Sequence, residues 1–163
     1  PRAALPFAYT IQEFQQLLIS MGVLVVLVPL TGEAPTWLWL LIPVALLLQT
    51  MFNVGASLVL ARVGATARDL NQLLPFIMRT WLYTSGVFFA IEQRVVSAGL
   101  PQWIADAMYL NPAAAYIELM RDLLMRSYEG PSHIWIVCIF WALFALIGGF
   151  WYFWRAEEKY GRG

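Results

Sequence analysis

Long stretches of this chain are empty of charge, and that pattern constrains the fold more than any other feature. No residue from Phe14 to Gly32 is charged, none from Trp37 to Ala61, and none from Ile134 to Trp154. A bilayer core about 30 Å thick takes roughly 20 apolar residues in a helix to cross. Each interval therefore reads as a membrane span, about 14–32, 37–61 and 134–154. Leu73 to Ile91 adds a fourth, about 73–91, with a single charge at Arg79 and with Pro75 where a first helical turn tolerates a missing N–H. In hydrocarbon the backbone must satisfy its own hydrogen bonds, and the alternating pattern of barrel strands is missing. The expected fold class is all-α, a polytopic helical membrane protein forming a single domain over residues 1–163.

Composition points the same way. Hydrophobic residues make up 61% of the chain and charged residues 12%, with a mean hydropathy of +0.67. Such values lie outside the soluble range. A formal net charge of zero argues against a nucleic-acid partner, because phosphate binding needs an excess of Lys and Arg. Cys138 is the single cysteine, so neither an internal disulfide nor a C-x-x-C metal spacing can form. The chain opens at Pro1, and its first apolar run lacks the basic flank and cleavage site of a signal peptide. The expectation is a fragment whose N-terminal portion is absent.

Basic residues suggest an orientation. If the first span runs outward, Arg2, Arg62, Arg68, Arg79, Arg155, Lys159 and Arg162 fall inside, and Arg94, Arg121 and Arg126 outside. Seven against three favours an inner C-terminus. Between the third and fourth spans lie about 40 residues, Glu92 to Pro131, far more than a hairpin between helices needs. Two short helices are expected there, over about 101–128. The first follows Pro101 with Trp103, Ile104, Ala107 and Met108 on its apolar side. The second opens at Pro112 and carries Tyr116, Ile117, Met120, Leu123, Leu124 and Tyr128. Glu118 with Arg121, and Asp122 with Arg126, have the spacing of ion pairs on a helix surface. Such helices would lie in the interface or dip into it, or simply cap the helix ends.

Residues that could carry chemistry are few. No G-x-x-x-x-G-K-[ST] loop is present, so energy from ATP must come from a partner. His133, beside Ser132 at the mouth of the last span, has no motif pairing it with a nucleophile or a metal, and reads as an interfacial residue. Arg79 is either a snorkelling anchor or a group facing a cavity or partner. Gln49, Thr50, Asn53 and Ser57 put polar groups on the second span, where they are expected to bond to a neighbouring helix. The third span mixes Thr80, Tyr83, Thr84, Ser85 and Gly86 with Trp81, Phe88 and Phe89. That mixture would suit a wall along which a sugar chain slides, although Trp and Tyr also serve as plain interfacial anchors.

Three stretches resemble the ABC-2 type permeases that export lipid-linked polysaccharides such as O-antigen, teichoic acid and actinobacterial galactan. Pro1, Arg2, Leu5 and Pro6 are similar to that family's F-P-R-x-x-L-P element. Arg68 and Asp69 with Leu73, Leu74, Pro75 and Phe76 resemble its R-D-x-x-x-L-L-P-F entry to a span. Leu110, Asn111 and Pro112 with Ile117, Glu118 and Arg121 resemble its re-entrant L-N-P…I-E…R element. They cover residues 1 to about 126 in the family's order. Ser85-Gly86-Val87 departs from the Ser-Pro-Val common among relatives.

The resemblance implies a non-catalytic permease subunit of the bacterial cytoplasmic membrane, a homodimer joined to two nucleotide-binding ATPase subunits. ATP and Mg would sit on those partners, with no cofactor and no metal on this chain. It further implies a pathway or gate among Arg79, Trp81, Tyr83, Ser85, Gly86, Phe88, Tyr109, Asn111, Pro112, Glu118 and Arg121. Coupling to the ATPase would fall to Arg2, Arg68 and Asp69. An exporter of small hydrophobic drugs would use the same spans around a more apolar cavity. A membrane transferase would need convergent acidic or His residues, which the isolated Asp69 and Glu92 do not supply. A scaffold without transport would leave Arg79 and the polar third span without a purpose.

Overall fold

The computed structural model describes residues 4–160, with side chains described at all of these except residues 4–6, 66, 68, 70, 71 and 156–160. Every regular element among them is helical: α1 (Ala4–Leu30), a 3-10 turn (Trp37–Leu41), α2 (Ile42–Thr66), α3 (Arg68–Thr84), α4 (Ile91–Ser97), α5 (Gln102–Tyr109), α6 (Pro112–Leu124) and α7 (Ile134–Tyr160). Among the described residues, three stretches are long and apolar enough to cross a membrane, Phe7–Leu30, Trp37–Ala65 and Ile134–Arg155.

The expected fourth span, 73–91, is not one helix. α3 begins earlier, at Arg68, and stops at Thr84, where Gly86 turns the chain with a φ of 76°. Its 17 residues reach about 25 Å at 1.5 Å per residue, at the lower limit of what crosses a hydrocarbon core. Pro75 accordingly lies inside α3 rather than at its opening, and deprives the carbonyl four residues earlier of its helical donor. Asp69, in the first turn, complements the positive end of the helix instead.

α2 and α7 form the backbone of the fold, and glycine brings them together. A Cβ added to Gly55 would stand 2.1 Å from the Ala145 carbonyl carbon, and one on Gly149 would stand 2.3 Å from the Gly55 oxygen. The two main chains touch, as small residues allow where lipid offers no hydrophobic driving force. α6 wedges across one end of this pair. Its Tyr116 hydroxyl is placed to donate to the Cys138 carbonyl at 2.8 Å and to that of Leu48 at 3.2 Å, while Phe52 packs on the Tyr116 ring at 5.7 Å. At the opposite end the Arg62 guanidinium lies 3.8 Å over the Tyr152 ring and donates to that residue's carbonyl.

α1 leans on α2 through Met21, Leu17 and Val25, and its Thr10 hydroxyl comes within 3.4 Å of Ser57. Ser57 thus meets a neighbouring helix, whereas Thr50 bonds back to Leu46 within its own. Most of the apolar surface of α1, including Ile19, Val26 and Leu30, stays uncovered.

Glu33, in the loop after α1, closes the end occupied by α6. Its carboxylate accepts from the Ser127 hydroxyl and from the Arg126 backbone N–H at 3.1 Å. The Ser127 hydrogen bond, chiefly, holds Glu33 below the ordinary carboxylate range. A carboxylate depressed in the folded state contributes stability above its ordinary pKa and loses it as pH falls through the lowered one. The protection of the Arg126 and Ser127 amides, taken relative to their intrinsic exchange rates at each pH, should therefore fall under acid, below the ordinary carboxylate range, and Glu33→Gln should flatten that dependence. Protection that is indifferent to pH in both proteins would show that the clasp does not hold the loop.

Candidate functional site

The turn after α3 and the start of α6 are held together by a small set of polar contacts. Asn111 caps α6, its Oδ1 accepting from the Ala113 N–H at 3.1 Å, with Pro112 in the first helical position where its missing N–H costs nothing. The same oxygen accepts from the Trp81 indole at 2.6 Å, so one side chain both starts α6 and tethers α3. Ser85 is buried and donates back to the Leu82 carbonyl at 2.8 Å.

Glu118 and Arg121 complete the junction. Their ion pair, 2.9 Å long, is present as the spacing suggested, but on the inner side of α6 rather than on a solvated face. Glu118 is 1% exposed and the Arg121 side chain 19%. The other terminal guanidinium nitrogen of Arg121, Nη2, donates to the Gly86 carbonyl at 3.3 Å, pinning the turn between α3 and α4. Burial pushes the Glu118 carboxyl above its usual range against the opposing pull of Arg121. The second expected pair, Asp122 with Arg126, does not form. α6 ends at Leu124, so Arg126 leaves the helix, and Asp122 instead accepts from the Gly130 N–H at 2.8 Å.

Gly86 takes a backbone conformation that the Ser-Pro-Val expected from the resemblance would not allow. A φ of 76° is closed to proline, whose ring fixes φ near −65°. A side chain there would also meet Ile91, with Cγ1 2.8 Å from an added Cβ.

Of the residues singled out from sequence, Trp81, Ser85, Gly86, Tyr109, Asn111, Pro112, Glu118 and Arg121 thus belong to one junction and its buried surroundings. Arg79, Tyr83 and Phe88 do not join it. They stand exposed on the other side of α3 and its following turn, with the Tyr83 and Phe88 rings stacked at 5.8 Å and 28°. Arg79 forms no ion pair among the described residues. At the far end of α3, Asp69 is exposed. Arg2 and the Arg68 side chain lie outside the described residues.

Beside the junction lies a polar pocket of about 330 Å³ that sequence reasoning did not assemble. Its walls come from Glu92 of α4, Gln102, Asp106 and Tyr109 of α5, and the approach to α7 from Glu129 to His133. His133, expected only to sit at an interface, is one of them. Three segments far apart in the chain meet there, and no local motif announces it.

Comparison with known proteins gives the chain its family. The family described as ABC-2 type transporter matches residues 1–125. An O-antigen export system permease protein RfbA of Myxococcus xanthus is 26% identical over 92 residues, covering 56% of this chain and 35% of that protein. A permease of the same name from Klebsiella pneumoniae is 23% identical over 150 residues, covering 91% of this chain and 55% of its own length. The chain therefore spans between a third and somewhat over half the length of these curated relatives. No solved structure matches it significantly.

Proposed function

The chain belongs to the ABC-2 type transporter family, and from that premise we propose that it is the transmembrane permease of an exporter of lipid-linked cell-surface polysaccharide. It makes and breaks no bond itself. Two copies of a separate ATPase subunit drive it, and a second copy of the permease completes the passage in the bacterial cytoplasmic membrane, with the C-terminus inside. Relatives that share much of its length are named as O-antigen permeases, which supports this substrate class over small hydrophobic drugs.

The observation that carries the reading is the uncovered stripe of α3. Arg79, Thr80 and Tyr83 are exposed on it, extended by the Tyr83–Phe88 stack. A charged side chain facing lipid is expensive, so such a stripe belongs against water or another chain. Aromatic faces meet the CH faces of sugar rings, and hydroxyls exchange hydrogen bonds that are weak enough to let a chain slide. The Trp81–Asn111 tether and the Arg121–Gly86 contact then link any tilt of α3 to the helices at the outer end. Coupling begins at the inner end of α3, where Arg68 and Asp69 meet the ATPase.

The test is ATPase activity of the full-length protein with its ATPase subunit in lipid nanodiscs, with and without a lipid-linked glycan. The expected result is stimulation by the glycan that Asp69→Ala or Arg68→Ala abolishes. A complex that ignores glycans and responds to hydrophobic drugs would overturn the substrate class, and the lack of any ATPase partner would overturn the transporter reading.

A further inference from the structure

The pocket between α4, α5 and the start of α7 has the chemistry of a ligand site. Its roughly 330 Å³ lies at the lower end of the range of about 300–1,000 Å³ common for small-ligand pockets. That is room for one compact ring and not for a lipid tail. Glu92, Asp106 and Glu129 supply carboxylates, Gln102 an amide, and Ser132 and Tyr109 hydroxyls. Gln102 already donates to Glu92 at 3.2 Å, which sets the position of one wall.

Tyr109 provides the second, independent sign. It is 1% exposed, it lines the pocket, and its hydroxyl has no hydrogen-bond partner of ordinary geometry, although the Glu92 main chain approaches it. A buried hydroxyl left unpaired is costly, and a ligand that supplies a partner removes that cost. Burial first, then the negative charges of Glu118 and Glu92, push Tyr109 up to about 12. It therefore stays a protonated donor throughout the physiological range.

The lining also says what does not fit. Three carboxylates repel a phosphate or pyrophosphate, so the anionic end of a lipid carrier is excluded. Among the described residues no three acidic, His or Cys groups are gathered closely enough to hold a metal ion. Dispersed carboxylates, an amide and hydroxyls instead match a neutral group rich in hydroxyls, each carboxylate oxygen accepting a charge-assisted hydrogen bond.

We propose that this pocket binds a single neutral pyranose unit, held by Glu92, Asp106 and the Tyr109 hydroxyl. The assignment rests on the glycan-export reading for its physiological ligand, a sugar of the exported chain on the outer side of the membrane. Tyr109 lines this pocket and feels the charge of Glu118, so occupancy of the pocket reaches the ion pair that pins Gly86.

Saturation-transfer NMR on the full-length protein in nanodiscs tests it, with the methyl glycosides of galactose, glucose, mannose and rhamnose as probes. At least one glycoside should receive saturation, and its affinity should fall about tenfold in Tyr109→Phe, the worth of roughly one hydrogen bond. Asp106→Asn, at an exposed position, should weaken it similarly while leaving the melting temperature in place. No transfer to any of the four, transfer that both variants leave unchanged, or binding of calcium alone would overturn the proposal. The same complexes assayed for ATPase separate the two readings. Glycan-stimulated hydrolysis without glycoside binding removes only the pocket, and glycoside binding without stimulated hydrolysis removes only the exporter.

Discussion

Gly55→Leu is expected to abolish the native packing of α2 against α7, with a cost of about 3 kcal/mol or more, the upper range for overpacked cores. The reason is geometric. A first side-chain atom at Gly55 would fall 2.1 Å from both the carbon and the oxygen of the Ala145 carbonyl and 2.5 Å from the Leu146 nitrogen. These are main-chain atoms of a helix and cannot rotate aside, so the two helices must separate. Separation would carry α6 away with them, because the Tyr116 hydroxyl faces carbonyls of both. Gly149 should behave in the same way, since an added Cβ there meets the Gly55 carbonyl. Gly148, one residue earlier, has open space around its Cα, and Gly148→Leu should be tolerated. Melting temperature and size-exclusion profile of the three variants in detergent or nanodiscs decide the matter. A Gly55→Leu protein that melts with the parent would mean that α2 and α7 do not touch in the membrane.

Arg121→Met is expected to cost about 3–5 kcal/mol, the usual penalty for leaving one member of a buried ion pair behind. Glu118 is 1% exposed, one of its carboxylate oxygens is already without a partner, and the other depends on Arg121. The variant also frees the Gly86 carbonyl, so the turn joining α3 to α4 loses its anchor. The damage has a pH signature. Because burial raises Glu118 in the fold, the folded state retains a proton that the unfolded chain releases. Stability is therefore greatest below the ordinary glutamate pKa and is lost as pH rises toward the raised one. Removing Arg121 withdraws the charge that opposes burial, so the loss should extend to higher pH. Glu118→Gln in the same chain should recover much of the stability and erase the pH dependence. Thermal melts across pH on the single and double variants give the answer. A double variant no better than Arg121→Met would show that the guanidinium acts through Gly86 rather than through Glu118.

Much of the fold was legible because the bilayer imposes a one-dimensional rule. Charge-free length marks a helix that can cross, and three of the four intervals answer to it, with α1 and α7 running further than the intervals alone indicated. The third interval misled because hydrophobicity carries no record of backbone conformation. Apolar residues continue past Thr84, but a left-handed Gly86 ends the helix there. Several residues of the junction between α3 and α6 stood out in the sequence too, as residue types in a motif. What each of them touches was not. Glu118 and Arg121 read as surface ions by spacing, yet face inward because α6 is enclosed by α2, α3 and α7.

The sequence by itself determined that this is an all-helical chain with spans for lipid, that it lacks an ATP loop of its own, and that a polar, aromatic helix interrupts its apolar ones. Those properties follow from composition and local order, which every conformation of the chain shares. Tertiary structure alone decided that Asn111 serves Trp81, that Arg121 holds Gly86, that Gly55 meets Ala145, and that Glu92, Tyr109 and His133 surround one pocket. Each joins residues tens of positions apart, and such proximity depends on how helices cross in space rather than on any spacing along the chain.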